Sequence, residues 1–131
     1  MKILIAPCVC GFSLNAETCR ELYRQRPDFF RESTPLENLA FLDNWSSERA
    51  EEFLGSCFVE NDVVFFLDER NPELRTFPWL IEQYGRIGPA ALAGRYSKTL
   101  KVVEVPDDVA WHIWQAEDGS ESVHEAHRVW Q

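Results

Sequence analysis

Two short motifs, one near each end of the chain, contain side chains that bind transition metals: Cys8-x-Cys10 and His124-x-x-His127. Cysteines two residues apart on a strand point to the same face, whereas the two histidines converge only if their segment is helical. Zinc sites usually pair C-x₂₋₄-C with H-x₃₋₅-H, and neither motif has that spacing. We therefore expect no cofactor, and these four side chains are the candidates if a structural zinc is bound.

A turn near the N-terminus could bind an anion. Gly11-Phe12-Ser13 follows an apolar stretch and precedes a helical pattern, and the backbone N–H groups at such a junction can contact phosphate. The segment has one glycine, however, where the dinucleotide fingerprint has three, and it lacks the Gly-Lys-Ser/Thr of a P-loop. A tight turn before a capped helix is the main interpretation. A nucleophile here (Ser13, Cys8 or Cys10) with a histidine base has no support from spacing, so no catalytic residue is assigned.

Carboxylates are concentrated in the last 28 residues of the chain. Because charged residues are mostly exposed, a solvated hairpin face is the favoured interpretation. The functional alternative is an acidic patch that attracts a basic partner, with Trp111 or Trp114 as an anchor. The adjacent pair Asp107-Asp108 could also bind a hard cation, although two carboxylates alone are a weak signal. The acidic residues are Glu104, Asp107, Asp108, Glu117, Asp118, Glu121 and Glu125.

Hydrophobic patterns and turn residues predict the elements that position these groups. Strands are expected over 2–10, 63–67, 100–105 and 111–114, followed by a hairpin turn at Asp118-Gly119 and a strand or short helix over 122–130. Helices are expected from Asn15 to before Pro27, over 47–54, and from Pro78 to a stop at Gly85. The fold class is thus α+β, with a mixed or antiparallel sheet, two to four short helices and a C-terminal β-hairpin. Residues 1–131 form a single domain, with a helical or irregular insert at about 28–62.

Composition limits the classes of function. The chain has 131 residues and a formal net charge of −9, which repels phosphate backbones, so direct nucleic-acid binding is not expected. The N-terminal apolar run is too short for a signal peptide, and no segment approaches the ~18 apolar residues of a membrane span. A cytoplasmic protein with reduced cysteines and no membrane association is therefore expected.

Several segments together resemble a family of small, mostly uncharacterised accessory proteins of tailed bacteriophages. They are an N-terminal strand followed by Gly11-Phe12-Ser13-Leu14, Arg75-Thr76-x-Pro78, Leu100 to Trp111 with its Val-Glu-Val-Pro-Asp-Asp-Val run, and His127-Arg128-x-Trp130. The resemblance covers residues 1–15 and about 70–131. It implies a small acidic protein in the cytoplasm of an infected bacterium, where such proteins often bind and block a host factor.

The expected function is accordingly that of a phage-type accessory protein that binds, and could inhibit, a host defence or nucleic-acid-processing protein with a basic surface. The alternative is a protein that binds or sequesters a nucleotide or phosphate, or a small enzyme, with a pocket near Gly11 and His127/Arg128. The binding candidates for either function are Gly11, Phe12, Ser13, Asp107, Asp108, Trp111, Trp114, Glu121, His127 and Arg128.

Overall fold

A computed structural model describes residues 1–9, 11–31, 33–39, 46–94, 99–125 and 129–130, the last two by their backbone only. Within these ranges the chain folds into short helices and antiparallel sheets, which confirms the predicted α+β class. None of the helices in the described ranges is long and apolar enough to cross a membrane.

Strand β1 (Lys2–Ile5) pairs antiparallel with β5 (Lys101–Glu104), and its last three residues are fully buried. The prediction that this strand runs to residue 10 was wrong. Ala6 already bonds outside the pair, since its N–H donates to the Glu121 carboxylate, and Pro7 has no N–H to donate. Cys8 therefore lies beyond the strand and cannot share a strand face with Cys10, as the predicted strand over 2–10 required. Cys10 lies outside the described residues.

The predicted C-terminal hairpin is present. Strand β6 (His112–Gln115) pairs with β7 (Glu121–His124), which pairs in turn with β8 (Val129–Trp130). In the connecting turn Gly119 has φ +95°, and the Asp118 carboxylate accepts hydrogen bonds from the backbone N–H and hydroxyl of Ser120. These bonds lower the pKa of Asp118 and hold the turn in register.

The third sheet comes largely from the segment expected to be an insert. Strands β2 (Thr34–Pro35), β3 (Cys57–Glu60) and β4 (Val63–Phe66) lie in the order β2-β4-β3. Sequence patterns predicted β4 but not β3. The two-residue Asn61-Asp62 turn between them has positive φ at both positions, a conformation that asparagine and aspartate tolerate better than most residues.

Five α-helices occur in the described ranges: α1 (Ala16–Gln25), α2 (Ser47–Leu54), α3 (Pro72–Arg75), α4 (Pro78–Ile87) and α5 (Pro89–Leu92). Helix α1 begins where predicted, because the Asn15 side chain accepts a hydrogen bond from the Thr18 N–H. Helix α4 does not stop at Gly85. It continues through it and ends at Gly88, whose φ of +87° breaks the helix. A glycine inside a helix weakens it but does not end it.

The apolar side chains that the structure describes form three clusters. The largest joins α1, α4 and the β3–β4 sheet around Phe29 and Phe58. A second lies between the β1–β5 pair and the β6–β7 hairpin, with Ile3, Ile5 and Val123 at its centre. A third cluster packs helix α2 against strands β3 and β4. The second cluster brings the hairpin against β1 and so creates the site described next.

Candidate functional site

A buried arginine and a buried glutamate, 46 residues apart in the chain, form a two-point ion pair. Arg75 Nη1 donates to Glu121 Oε1 at 2.8 Å, and Nη2 donates to Oε2 at 2.9 Å. The two side chains are 3% and 6% exposed. A charge this deep in a protein is tolerated only when it is paired and hydrogen-bonded.

Backbone groups complete the coordination of this pair. Arg75 also donates from Nη1 to the Leu4 carbonyl at 3.1 Å and from Nε to the Glu69 carbonyl at 2.8 Å. Glu121 Oε1 accepts the Ala6 N–H at 3.0 Å. The ion pair thereby joins the end of β1, helix α3 and the first residue of β7.

The Gly11 turn packs against the same place. The ring centroid of Phe12 lies 3.7 Å from the guanidinium carbon of Arg75, a stacked cation–π arrangement. Gly11 has φ +81°, and a Cβ atom there would lie 3.0 Å from Gln115 Nε2 and 3.1 Å from the Gly119 carbonyl oxygen. Only glycine combines this φ with so close an approach to the hairpin.

A cavity of about 420 Å³ opens between the start of α3 and strand β6. This volume falls within the range of roughly 300–1,000 Å³ that is typical of small-ligand sites. The Arg75–Glu121 pair forms part of its lining, Trp111, Ile113 and Pro72 contribute apolar surface, and polar side chains converge from both sides. The described lining residues are Glu69, Arg70, Pro72, Arg75, Trp111, His112, Ile113, Gln115 and Glu121.

Glu69 is the half-buried carboxyl of this cavity. Burial raises its pKa above the usual range, while a hydrogen bond from the Ser56 hydroxyl and the positive charge of Arg75 act in the opposite direction. Ser56 Oγ in turn accepts the Leu14 N–H at 2.9 Å, which ties the end of the Gly11 turn to Glu69. A carboxyl whose pKa is raised in a cleft is characteristic of functional sites.

The two tryptophans of β6 and its flank face opposite ways, as predicted. Trp111 packs on the second apolar cluster and reaches the cavity. Trp114 lies on the outer face of the hairpin, is 49% exposed, and stacks on His124 with ring centroids 5.3 Å apart. His124 is held in turn by Ser122, with Nε2 and Oγ 2.8 Å apart.

The acidic face expected at the C-terminus lacks one of its members. Glu121 is buried in the ion pair instead of lying on the surface, because the hairpin points it inward at β1. Asp107 and Asp108 are exposed, but they follow β5 and do not line the cavity; Asp107 binds the amino group of Met1. Glu117 and Asp118 remain exposed at the hairpin turn.

The remaining candidates from the sequence are spread over the chain. Ser13 is buried, and its carbonyl accepts the Gly94 N–H at 3.0 Å. Cys8 is half-buried with its Sγ 3.5 Å from the Thr99 carbonyl. His127 and Arg128 lie outside the described residues. No group of three or more potential metal-ligating His, Cys, Asp or Glu side chains occurs among the residues that the structure does describe.

Sequence reasoning missed Glu69, Arg70, Gln115 and the role of Arg75. Arg75 belongs to Arg75-Thr76-x-Pro78, one segment of the resemblance to the phage family, but no structural role was predicted for it. Its neighbour Leu74 is also buried, and no local pattern distinguishes an arginine that points inward from one that points to solvent. Its partner Glu121 comes from a distant strand, so the pairing is visible only in three dimensions.

No family model matches the chain, and neither the curated proteins nor the solved structures contain a similar protein. The fold and the site therefore define the class by themselves: a small α+β protein with a cavity of ligand size beside a buried ion pair.

Proposed function

We propose that this protein binds a small ligand in the cavity between helix α3 and strand β6. The observation that carries the proposal is that Glu69, a half-buried glutamate whose ionisation is opposed by its burial, is one of the residues lining an apolar-walled cavity. Such a group costs folding free energy unless something binds to it. A concave, mostly apolar site with a few converging polar groups is the usual form of a ligand site.

Binding is a better match to this site than catalysis. The side-chain hydrogen bonds identified between described lining residues join Arg75 to Glu121 and to the Glu69 carbonyl, and none of them links a nucleophile to a general base. The Gly11 turn does not itself line the cavity, but two lining residues lie against it, since Gln115 is close to Gly11 and Arg75 contacts the Phe12 ring. We therefore place small-molecule binding before binding of a protein partner.

Thermal unfolding in the presence of a small-molecule library tests the proposal. A ligand at 100 times its Kd adds about 2.7 kcal/mol to the free energy of unfolding. The expected ligands also shift the NMR signals of the Trp111 indole and the Ile113 methyl groups. Gln115→Trp, which narrows the cavity mouth from an exposed position, should abolish the stabilisation. Glu48→Trp, exposed on helix α2, is the matched control and should leave it intact. Stabilisation that survives Gln115→Trp would place the ligand elsewhere.

A second candidate function is supported by the outer face of the hairpin. Trp114 is a large apolar side chain with half its surface in water, and Glu117 and Asp118 are exposed nearby in sequence. An exposed tryptophan beside carboxylates suits a basic protein surface, because aromatic anchors supply affinity and opposite charges speed association. This second proposal corresponds to the function expected from the sequence, that of a phage-type accessory protein that acts on a host factor in the bacterial cytoplasm.

Capture from a bacterial lysate tests this second function. A stoichiometric partner should be retained at low salt and released as salt rises, since exposed charges are screened. Trp114→Ala should lose the partner, whereas Ile87→Ala, which removes an equally exposed apolar side chain from helix α4, should keep it. Loss in both variants, or in neither, would contradict a role for this face.

A further inference from the structure

The ion pair on the cavity wall has little capacity left for a ligand. Four of the five N–H groups of Arg75 already donate to protein oxygens. Both carboxylate oxygens of Glu121 accept from Arg75, and one of them also accepts the Ala6 N–H. This wall therefore presents a charge-compensated surface, and recognition falls to the other polar groups.

Glu69 lines the cavity and carries a carboxyl that accepts hydrogen bonds. A carboxylate has about four lone-pair positions, and the side-chain bond identified at Glu69 comes from the Ser56 hydroxyl. Its remaining acceptor positions can be satisfied by water or by N–H and O–H donors of a ligand. Because the Glu69 carboxyl is half-buried, it has lost part of its hydration. An N–H donor of a ligand then supplies a hydrogen bond that water no longer makes.

Arg70 supplies a positive charge at the mouth of the same cavity. Its side chain is exposed and, among the described residues, pairs with no carboxylate. The guanidinium plane presents a fork of donors that matches phosphate and carboxylate groups. Adjacent positions of the cavity lining thus offer a half-buried acceptor and an exposed cation.

The apolar part of the cavity lining favours a flat ligand. Trp111 and Ile113 come from the inner side of the hairpin, and Pro72 comes from the first turn of α3. Such surfaces stack well against planar rings.

We propose that the cavity binds a planar ring compound that donates N–H groups to Glu69 at one end and presents a phosphate or carboxylate to Arg70 at the other. A nucleoside monophosphate and an aromatic amino acid both have this chemistry. This inference rests on the proposed ligand-binding function and adds the class of ligand to it.

Calorimetric titration with guanosine monophosphate, guanosine and L-tryptophan tests the class. If the ligand is a nucleotide, guanosine monophosphate binds up to about fivefold more tightly than guanosine, because its phosphate pairs with the exposed Arg70 guanidinium and water screens that pair. Arg70→Ala removes this difference and leaves the weak affinity for guanosine unchanged. Glu69→Gln weakens both ligands, because it replaces one acceptor oxygen with an NH₂ group that cannot accept the ligand's N–H and removes the negative charge. If the ligand is an aromatic amino acid, L-tryptophan binds instead of guanosine monophosphate, and both Arg70→Ala and Glu69→Gln weaken its binding.

Arg24→Ala is the control, because Arg24 is an exposed arginine on helix α1 that does not line this cavity. It should leave every affinity unchanged. Guanosine monophosphate and guanosine binding equally, or affinities insensitive to Arg70→Ala, overturn the proposed class. If none of the three compounds binds but other library compounds shift the Trp111 and Ile113 signals, the class is wrong while the ligand-binding function stands. If no compound shifts those signals, both fail.

Discussion

Arg75 and Glu121 form a bidentate ion pair. Arg75 also donates a hydrogen bond to the Leu4 carbonyl, and Glu121 accepts one from the Ala6 N–H. The pair therefore does two things. It holds helix α3 and the C-terminal hairpin against the end of β1, and it leaves on the cavity wall a polar surface whose charges cancel. The hairpin side of the cavity is positioned by this contact and by the apolar cluster around Ile3, Ile5 and Val123.

Removing one partner of the pair should be strongly destabilising. Glu121→Ala leaves the Arg75 charge buried without its carboxylate and deprives the Ala6 N–H of its acceptor, so we expect a loss of about 3–5 kcal/mol. Urea unfolding measures it. Glu21→Ala, which breaks the exposed Arg24–Glu21 pair on helix α1, is the control and should cost no more than about 1 kcal/mol.

Replacing both partners separates pairing from packing. The double variant Arg75→Met/Glu121→Leu should lose much less stability than the sum of the two single variants, because no buried charge is left unpaired. A double variant whose loss equals that sum would show that the two side chains are not energetically coupled.

Two glycines should respond to alanine in opposite directions. Gly11→Ala places a Cβ at positive φ and against the Gly119 carbonyl, so we expect a loss of at least about 1–2 kcal/mol. Gly85 lies inside helix α4, and a Cβ there meets nothing within 4 Å. Gly85→Ala should therefore stabilise the protein by about 0.5–1 kcal/mol. Thermal and urea unfolding of both variants provide the comparison, and a shift of the same sign in both would contradict it.

Because the pKa of Glu69 is raised, the neutral substitution Glu69→Gln should increase the free energy of unfolding by an amount that depends on pH. The unfolded chain releases this proton near its ordinary pKa of 4.5, whereas the folded protein holds it to higher pH. The contribution of Glu69 to stability is thus fully present below that value and is lost as pH rises through the folded pKa. Glu69→Gln should be more stable than the native protein at about pH 7 and gain little at about pH 4.

Urea unfolding at the two pH values measures this difference. Glu117→Gln, at an exposed position of the hairpin turn, is the matched control and should change stability little at either pH. An equal gain at both pH values for Glu69→Gln would mean that its effect is not linked to protonation. Together with weaker ligand binding in the same variant, the expected gain would identify Glu69 as a group that lowers stability in exchange for function.

Two cysteines should resist alkylation in the native protein. Burial raises the pKa of Cys57 to about 12 and raises that of Cys19 further, so the reactive thiolate is rare at about pH 8. Iodoacetamide followed by peptide mass spectrometry should label Cys8, which is half-buried, much faster than either. In urea all three should react alike. Native labelling of Cys57 at the rate of Cys8 would contradict this.

Local patterns were sufficient where neighbours in the chain determine the outcome. Asn15 caps helix α1, Asp118-Gly119 forms the hairpin turn, and the two-residue period of β6, extended to the residue before it, puts Trp111 and Trp114 on opposite faces. They failed where a distant group changes the outcome: the Ala6 N–H, taken by Glu121, helps to end β1 early, and β3 is stabilised by pairing with β4.

By itself, the sequence determined the fold class, most of the helices and strands, and the acidic character of the chain, because propensity, capping and charge are properties of short segments. Only the tertiary structure decided which charges are buried and which residues form a cavity. Glu121 belongs to the acidic C-terminal segment by sequence, yet it lies inside the protein because it pairs there with Arg75, 46 residues earlier in the chain. The Leu4 carbonyl and the Ala6 N–H complete the hydrogen bonds of this pair. The free energy of a buried charge depends on its partner, and that partner is set by the fold.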